Sequence, residues 1–219
     1  MRVAEIWRYP VKSLKGERLE ETEITKLGIP GDRQVVVIRS INGRFLTSRV
    51  RPKLLGLQGS IGPDGAPTIG VPTINGHRWN SPEALQLVRE AAGEPVTLES
   101  VPAPQAFDIL PLLVATDGAA QYLNMDHRRL RPNILIADVP ELEERRWPNR
   151  VIAIGNVRIY PERLRDRCVM TTFDPDTQVQ DPSVLQRIVH ELDGSMALDS
   201  SVITPGRIRV GDAVEILER

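Results

Sequence analysis

Apolar positions cluster in short runs rich in β-branched side chains: Arg2 to Trp7, Val35 to Arg39, Leu57 to Ile61, Val96 to Val101, Ile134 to Ala137, Val151 to Ile154, Val157 to Tyr160, Ile208 to Val210 and Ala213 to Leu217. Bounded by Gly, Pro and Asn, such runs predict the strands of a barrel or sandwich. Gly155-Asn156 and Gly211-Asp212 each lie between two runs, where residues tolerant of positive φ close tight turns, so both predict hairpins. Gly62 to Pro72, dense in Gly and Pro, predicts an exposed loop.

A helical period predicts three helices. The first spans about Pro82 to Ala92, with Asn80 or Ser81 as cap, Leu85, Val88 and Ala92 as its apolar face and Gly93 as its stop. A second follows Thr116 or Asp117 through Leu123. A third runs from Ser183 to Leu192 behind Asp181-Pro182, presenting Val184, Leu185, Ile188, Val189 and Leu192. The expected class is mainly β with a few short helices. Pro102-Ala103-Pro104-Gln105 precedes a second series of strand patterns and suggests two parts, 1–102 and 103–219.

Size permits either one large domain or two small ones, since the chain has 219 residues. A formal net charge of -1 leaves no global basic field for nucleic acid, and 4% aromatic residues is too few for a base-stacking platform. The single cysteine excludes an intrachain disulfide and suits a reducing compartment. The opening MRVAEIWRYPVK lacks the apolar run of a signal peptide, and no stretch approaches the roughly 18 apolar residues of a membrane span. The expectation is a cytoplasmic protein that engages neither membrane nor nucleic acid.

Cys168 follows Arg165, Asp166 and Arg167, and neighbouring cations favour the thiolate, the form that attacks and ligates soft metals. The alternative is a buried, inert cysteine acting as a small hydrophobe. His77, His127 and His190 stand at no ligand-pair spacing with Cys168 or one another, which argues against structural zinc, and no local signature supports a Cys-His hydrolase. His190 falls on the solvated side of the third helix. Basic groups recur beside turns: Lys12-Ser13-Leu14-Lys15-Gly16, Gly31-Asp32-Arg33, Arg49 and Arg51, and Arg128-Arg129-Leu130-Arg131-Pro132-Asn133. If these turns converge, their directed donors make one anion pocket; otherwise each is solvated surface. No phosphate-binding Gly-rich loop, dinucleotide fingerprint or nucleophile elbow is present.

Taken in order, several segments resemble the MOSC proteins, in which an N-terminal β-barrel part precedes the MOSC β-barrel, as in the amidoxime-reducing members. They are Tyr9-Pro10-Val11-Lys12-Ser13-Leu14-Lys15-Gly16, Leu27 through Arg33, Gly43 through Thr47, Arg129-Leu130-Arg131-Pro132-Asn133, Arg167-Cys168, Thr171-Thr172 with Asp174-Pro175-Asp176-Thr177, and Gly206 through Asp212. The resemblance implies a molybdenum cofactor of the molybdopterin type, with Cys168 supplying a thiolate to the metal and Arg167 stabilising it. It further implies that Lys12, Ser13, Arg33, Arg131, Asn133 and Arg167 hold the pterin and its phosphate, with Thr116 and Arg129 as weaker candidates. Lys12 and Arg33 would face the phosphate, and Asn133 the heterocycle.

The implied chemistry is oxygen removal from a small N-hydroxylated or N-oxide substrate. One cysteine cannot hold an iron-sulfur cluster, so a separate ferredoxin-, flavin- or haem-type protein must supply electrons. Amidoxime-reducing members often carry a further cysteine three residues before the ligand, and Arg165 stands there. The segment from Leu192 to Val202 is also short. MOSC domains occur in cofactor sulfurases as well, but no pyridoxal-phosphate domain fits in this chain and that cofactor is not expected. Two rival readings remain: a carrier of molybdenum cofactor or of sulfur as a Cys168 persulfide, and an interaction module with an inert Cys168.

Overall fold

The computed structural model describes residues 1–72 and 76–218. Sixteen strands against three α-helices make the described chain mainly β. Eight strands form one mixed sheet, in the order Val214–Leu217, Val151–Ile154, Val157–Asp166, Ser195–Thr204, Leu112–Thr116, Ile134–Ala137, Arg2–Arg8 and Glu17–Leu19. Leu112–Thr116 and Ile134–Ala137 are parallel neighbours. Parallel neighbours need a crossover, which the helix Asp117–Tyr122 and the 3-10 turn His127–Leu130 supply.

That helix covers one face of the sheet, so the two parallel strands are buried on both sides. Leu112, Val114, Ile134 and Ile136 join a core with Val3, Ile6, Ile154, Ile159 and Leu198. Leu113, Ala115 and Leu135 face the other way, onto Ala119, Leu123, Ile188 and Leu192. Burial on both faces removes the apolar-polar alternation by which a half-solvated strand is recognised. Of the two parallel strands, Ile134–Ala137 is legible as a short apolar run while Leu112–Thr116 is not among the predicted strands, nor is Ser195–Thr204, whose buried Asp199 and Ser200 give it a polar look.

A second core, around Val11, Leu14, Val35, Val37, Leu54, Ile69, Val88 and Val96, belongs to the first half of the chain. Two three-stranded sheets surround it, Phe45–Leu46 with Val35–Arg39 and Val96–Ser100, and Gln58–Ile61 with Pro67–Gly70 and His77–Arg78. The helix Pro82–Ala92 packs against it, begun by Ser81 Oγ accepting from Ala84 N at 3.2 Å and ended by Gly93 at φ +65°. The opening residues, however, pack with the second half. Arg2–Arg8 pairs with Ile134–Ala137, Glu21–Ile24 pairs with Gly206–Arg209, and Ile24 and Ile29 enter the larger core.

The Gly155-Asn156 hairpin is present, with Ile154 opposite Val157. Gly211-Asp212 is a turn but joins no hairpin: Gly206–Arg209 pairs with Glu21–Ile24, while Val214–Leu217 pairs with Val151–Ile154. The reason is the start of the chain, since Gly211 N donates to Val3 O and Val3 N to Asp212 O, which inserts Val3 where a hairpin partner would lie. Within Gly62 to Pro72, only the tip is exposed loop; Pro67–Gly70 is a strand with Ile69 fully buried. Residues 73–75 lie outside the described chain. The third helix spans Pro182–Leu192 and buries Ile188 and Leu192, but Val189 is exposed rather than packed. Among the described residues no helix is long and apolar enough to cross a membrane.

Candidate functional site

The two halves meet at a cleft of about 240 Å³. Lys12, Ser13, Arg33, Thr47, Ser48 and Arg49 line it from the first half. Arg129, Arg131, Arg165, Asp166, Arg167, Cys168 and Met170 line it from the second, with Asp108 and Ile109 from the connecting segment. Seven of the sequence candidates thus share one cavity. A wider hollow of about 540 Å³, between residues 25–34 and 100–103, has neither a cationic side chain nor a cysteine in its lining.

The turn Tyr9 to Gly16 is built to pass close beneath the cleft. Lys12 N donates to Val35 O and Lys15 N to Leu57 O, which sets Ser13 between them in the left-handed region at φ +77°. Gly16 is required here, because a Cβ would lie 2.6 Å from Arg8 O and from the Tyr9 ring. Tyr9 is buried and its hydroxyl donates to Pro132 O at 3.1 Å. The Arg131 guanidinium stands 4.4 Å from the centre of the Tyr9 ring and that of Arg33 5.4 Å, so one aromatic face orients two cations.

Asp32 holds this floor together. Its carboxylate accepts from Tyr9 N at 2.7 Å and from Asn133 Nδ2 at 3.2 Å, and pairs with Arg33. Asn133 also accepts from Leu113 N at 3.1 Å and donates to Trp7 O at 3.3 Å. Its amide is therefore occupied by protein, and Asn133 lies outside the cleft lining, beneath it. Thr116 is likewise not in the lining. Its hydroxyl caps the helix Asp117–Tyr122, accepting from Ala119 N at 3.3 Å, and donates to the buried Glu144 carboxylate at 3.1 Å. The family resemblance makes both of them cofactor contacts; in the structure their side chains are engaged in hydrogen bonds within the protein.

Cys168 lies between the strand Val157–Asp166 and the 3-10 turn Val169–Thr172, and is partly exposed. The turn is pinned from two sides. Arg129 donates to Thr172 O at 2.9 Å and pairs with Asp174, which spends its donors on fixing the Cys168 turn. Ser48 Oγ lies 3.4 Å from Met170 Sδ and ties the turn to the opposite wall.

Charge in the cleft is only partly compensated. Lys12 Nζ donates to Ala106 O at 2.6 Å and to Asp108 at 2.7 Å, and burial holds its pKa below the ordinary lysine value. Burial would raise Asp108, but Lys12, Arg33 and Arg165 overcome it and hold the carboxyl down at about 2. For Arg33, burial is outweighed by Asp32 and Asp108, and its pKa is raised. Arg165 donates to the fully buried Asp199 at 2.5 Å. Arg131 has no such carboxylate among the described residues; burial lowers its pKa, and Arg33 adds to that.

Arg167 is the least satisfied group. One nitrogen donates to Leu130 O at 2.9 Å, while Nε and the other Nη are buried without a partner. Burial, then the nearby Arg165, push its pKa down to about 10. A buried guanidinium with two idle nitrogens is rare enough to need a reason, and a bound anion would supply one. The sequence reading did not include Tyr9, Asp32, Asp108 or Met170 among the site residues. Two of them carried a signal, Tyr9 as the start of the Tyr9 to Gly16 segment and Asp32 by its place in the Gly31-Asp32-Arg33 turn. Among the described residues no group of three or more His, Cys, Asp or Glu could hold a metal ion, and the one thiolate this chain could offer a metal is that of Cys168.

Two family models match the chain, the MOSC N-terminal beta barrel domain over residues 1–101 and the MOSC domain over residues 112–215. Mitochondrial amidoxime reducing component 2 of Homo sapiens is 28% identical to it, over 97% of this chain and 82% of its own length. Mitochondrial amidoxime-reducing component 1 of Homo sapiens is 26% identical, over 98% of this chain and 82% of its own. Among solved structures, the YUAD protein from Bacillus subtilis has a TM-score of 0.53 at 12% identity, covering all of this chain and 96% of its own, a likeness of fold.

Proposed function

Because the chain belongs to the MOSC proteins, with a MOSC N-terminal beta barrel domain ahead of its MOSC domain, we propose that it is a molybdenum-cofactor-binding oxidoreductase that reduces N-hydroxylated or N-oxide substrates. On this reading the family's two domains divide the sequence near residue 103, with the opening strands Arg2–Arg8 and Glu17–Leu19 lent to the sheet of the second domain. The observation that carries the proposal is the cleft itself, in which Cys168 and the half-satisfied Arg167 share one cavity with Lys12, Ser13, Arg33 and Arg131.

The residues present fit the cofactor. The idle Nε and Nη of Arg167 and the carboxylate-free Arg131 are directed donors for a phosphate or a pterin edge, and Cys168 is a soft ligand open to the same space. Lys12 and Arg33 would hold the phosphate, while Arg167 would stabilise the Cys168 thiolate. When bound, the molybdenum cofactor supplies a two-electron redox centre for cleaving an N–O bond. Arg129 and Ser48 would keep Cys168 in place by fixing its turn, and Asn133 would act from below by holding Asp32. Asp108 stays ionised at neutral pH and offsets part of the cationic field.

Reduction of an N-hydroxyl group to the amine consumes two electrons and two protons and releases water. The electrons must come from a separate redox protein, since this chain has no second cysteine for a cluster. The relatives named for amidoxime reduction support this substrate class.

The test is molybdenum per chain for wild type and Cys168→Ser, both made in a host that synthesises the cofactor, followed by turnover of an amidoxime with a chemical reductant. Near-stoichiometric metal that is lost in Cys168→Ser, together with amine formation, is the expected result. Metal without turnover would replace the proposal with a cofactor carrier. No metal in either protein would remove it.

A further inference from the structure

From Ser40 to Pro63 the chain has four cationic residues, Arg44, Arg49, Arg51 and Lys53, and no Asp or Glu. Arg44, Arg49 and Lys53 are exposed and have no carboxylate partner among the described residues. Arg51 shares Glu94 with Arg39, at 2.8 and 3.0 Å, so a single acid serves two cations. That shared carboxylate also makes the surface continuous: Arg39 is hydrogen-bonded across the strand pair to Arg44 O, and Glu94 brings Arg51 beside it. Three large apolar side chains stand exposed within the same stretch, Ile41 at 86%, Phe45 at 43% and Val50 at 52%. At its inner end the stretch enters the cleft wall through Thr47, Ser48 and Arg49.

A nearly neutral protein that concentrates unpaired cations at the rim of its own cleft has a local field there. Cations around a few exposed apolar anchors are the composition of a transient protein interface, in which charge steers encounter and the apolar centre seats it. Continuity with the cleft adds a functional reason, since a donor seated here would bring its redox centre to the mouth of the cavity that holds Cys168.

We infer that residues 44–53 are the docking surface for the electron donor, and that the donor is a small acidic redox protein. The inference rests on the oxidoreductase reading and assigns its partner surface. Each substrate turnover takes two electrons and two protons, so a one-electron iron-sulfur donor is oxidised twice and must dock twice. Weak, fast, charge-steered contact suits that requirement better than a tight complex.

The probe is a plant-type [2Fe–2S] ferredoxin, with basic cytochrome c as the reference. Arg44 and Lys53 lie outside the cleft lining, so the double variant Arg44→Glu, Lys53→Glu cancels the net charge of the stretch without touching the site. Amide shifts of the isotope-labelled chain on adding ferredoxin should fall within residues 44–53, be absent with cytochrome c, and weaken on the order of tenfold in the double variant, less so as salt is raised. In the metal-loaded protein, the same variant should raise the KM for ferredoxin and leave turnover with a chemical reductant unchanged. Shifts elsewhere on the surface, an undiminished response in the double variant, or binding of this patch to phosphatidylserine vesicles in place of ferredoxin would overturn the inference. Because the amide shifts need no cofactor, they judge the surface even where absent metal or turnover has already removed the oxidoreductase reading.

Discussion

Replacing Asp32 by Ala tests how the floor of the cleft is held. The Asp32 side chain is 1% exposed and serves three groups at once: the Tyr9 amide, the Asn133 side chain and the Arg33 guanidinium. Its removal leaves two buried donors and one buried cation without their acceptor. Each unsatisfied buried donor costs about 1–3 kcal/mol, and loss of one partner of a buried ion pair about 3–5 kcal/mol. These losses overlap, because Arg33 keeps a neighbour in Asp108, so roughly 3–5 kcal/mol is expected in total. For a chain of this size each kcal/mol moves Tm by about 2–4 °C, which predicts a fall of roughly 6–20 °C. Thermal melting followed by circular dichroism measures it. Asp32→Asn retains one oxygen for the Tyr9 amide but turns an N–H toward other donors, and should lie between wild type and Asp32→Ala. A fall of less than about 3 °C in Asp32→Ala would refute the reasoning, since it would mean that none of the three contacts is stabilising.

Three further outcomes follow from single residues. Thr116→Ala loses a helix cap and the hydroxyl that satisfies buried Glu144, and should cost about 1–2 kcal/mol by urea denaturation while molybdenum per folded chain is unchanged, which separates its structural role from cofactor binding. Gly118→Ala would set a Cβ 2.4 Å from Val139 O and 2.7 Å from Pro140 O, backbone that cannot step aside; yield of soluble protein and Tm should both drop sharply. Asp108 has its pKa held down at about 2 in the folded chain, against 3.8 ordinarily, so its stabilising effect is present above pH 4 and is lost as pH falls toward 2. Wild type should therefore exceed Asp108→Asn in urea midpoint at pH 6, with the gap closing between pH 4 and pH 2.

The turn chemistry was the most legible part of the chain. Basic residues beside Gly, Pro and Asn were placed in turns, and Lys12, Ser13, Arg33, Arg129, Arg131, Arg167 and Cys168 do converge on one cleft. What a sequence does not state is which of two polar neighbours points inward: Asn133 follows Arg131 closely, yet its amide is turned beneath the cleft to hold Leu113 N and Asp32. Asp108 was hidden for a different reason. It sits in an irregular segment without periodicity, and only the fold brings it to Lys12 and Arg165. Gly211-Asp212 misled because turn residues report a local reversal, whereas hairpin pairing depends on what else competes for the strand edges, here Val3 and Glu21–Ile24.

Backbone conformation helps to aim the side chains that line the cleft. Ser13, Arg33 and Arg131 all adopt the left-handed conformation, at φ +77°, +52° and +58°, and all three line the cavity. A side chain in that region costs about 1 kcal/mol that glycine would not incur. Stability alone would favour glycine at such positions, as it occurs at Gly28, Gly31 and Gly93 in the same chain. Glycine would remove two guanidinium groups and a hydroxyl from the cleft, however, and with them donors an anion needs. Those three side chains and the half-satisfied Arg167 thus set directed donors in the same cavity as Cys168.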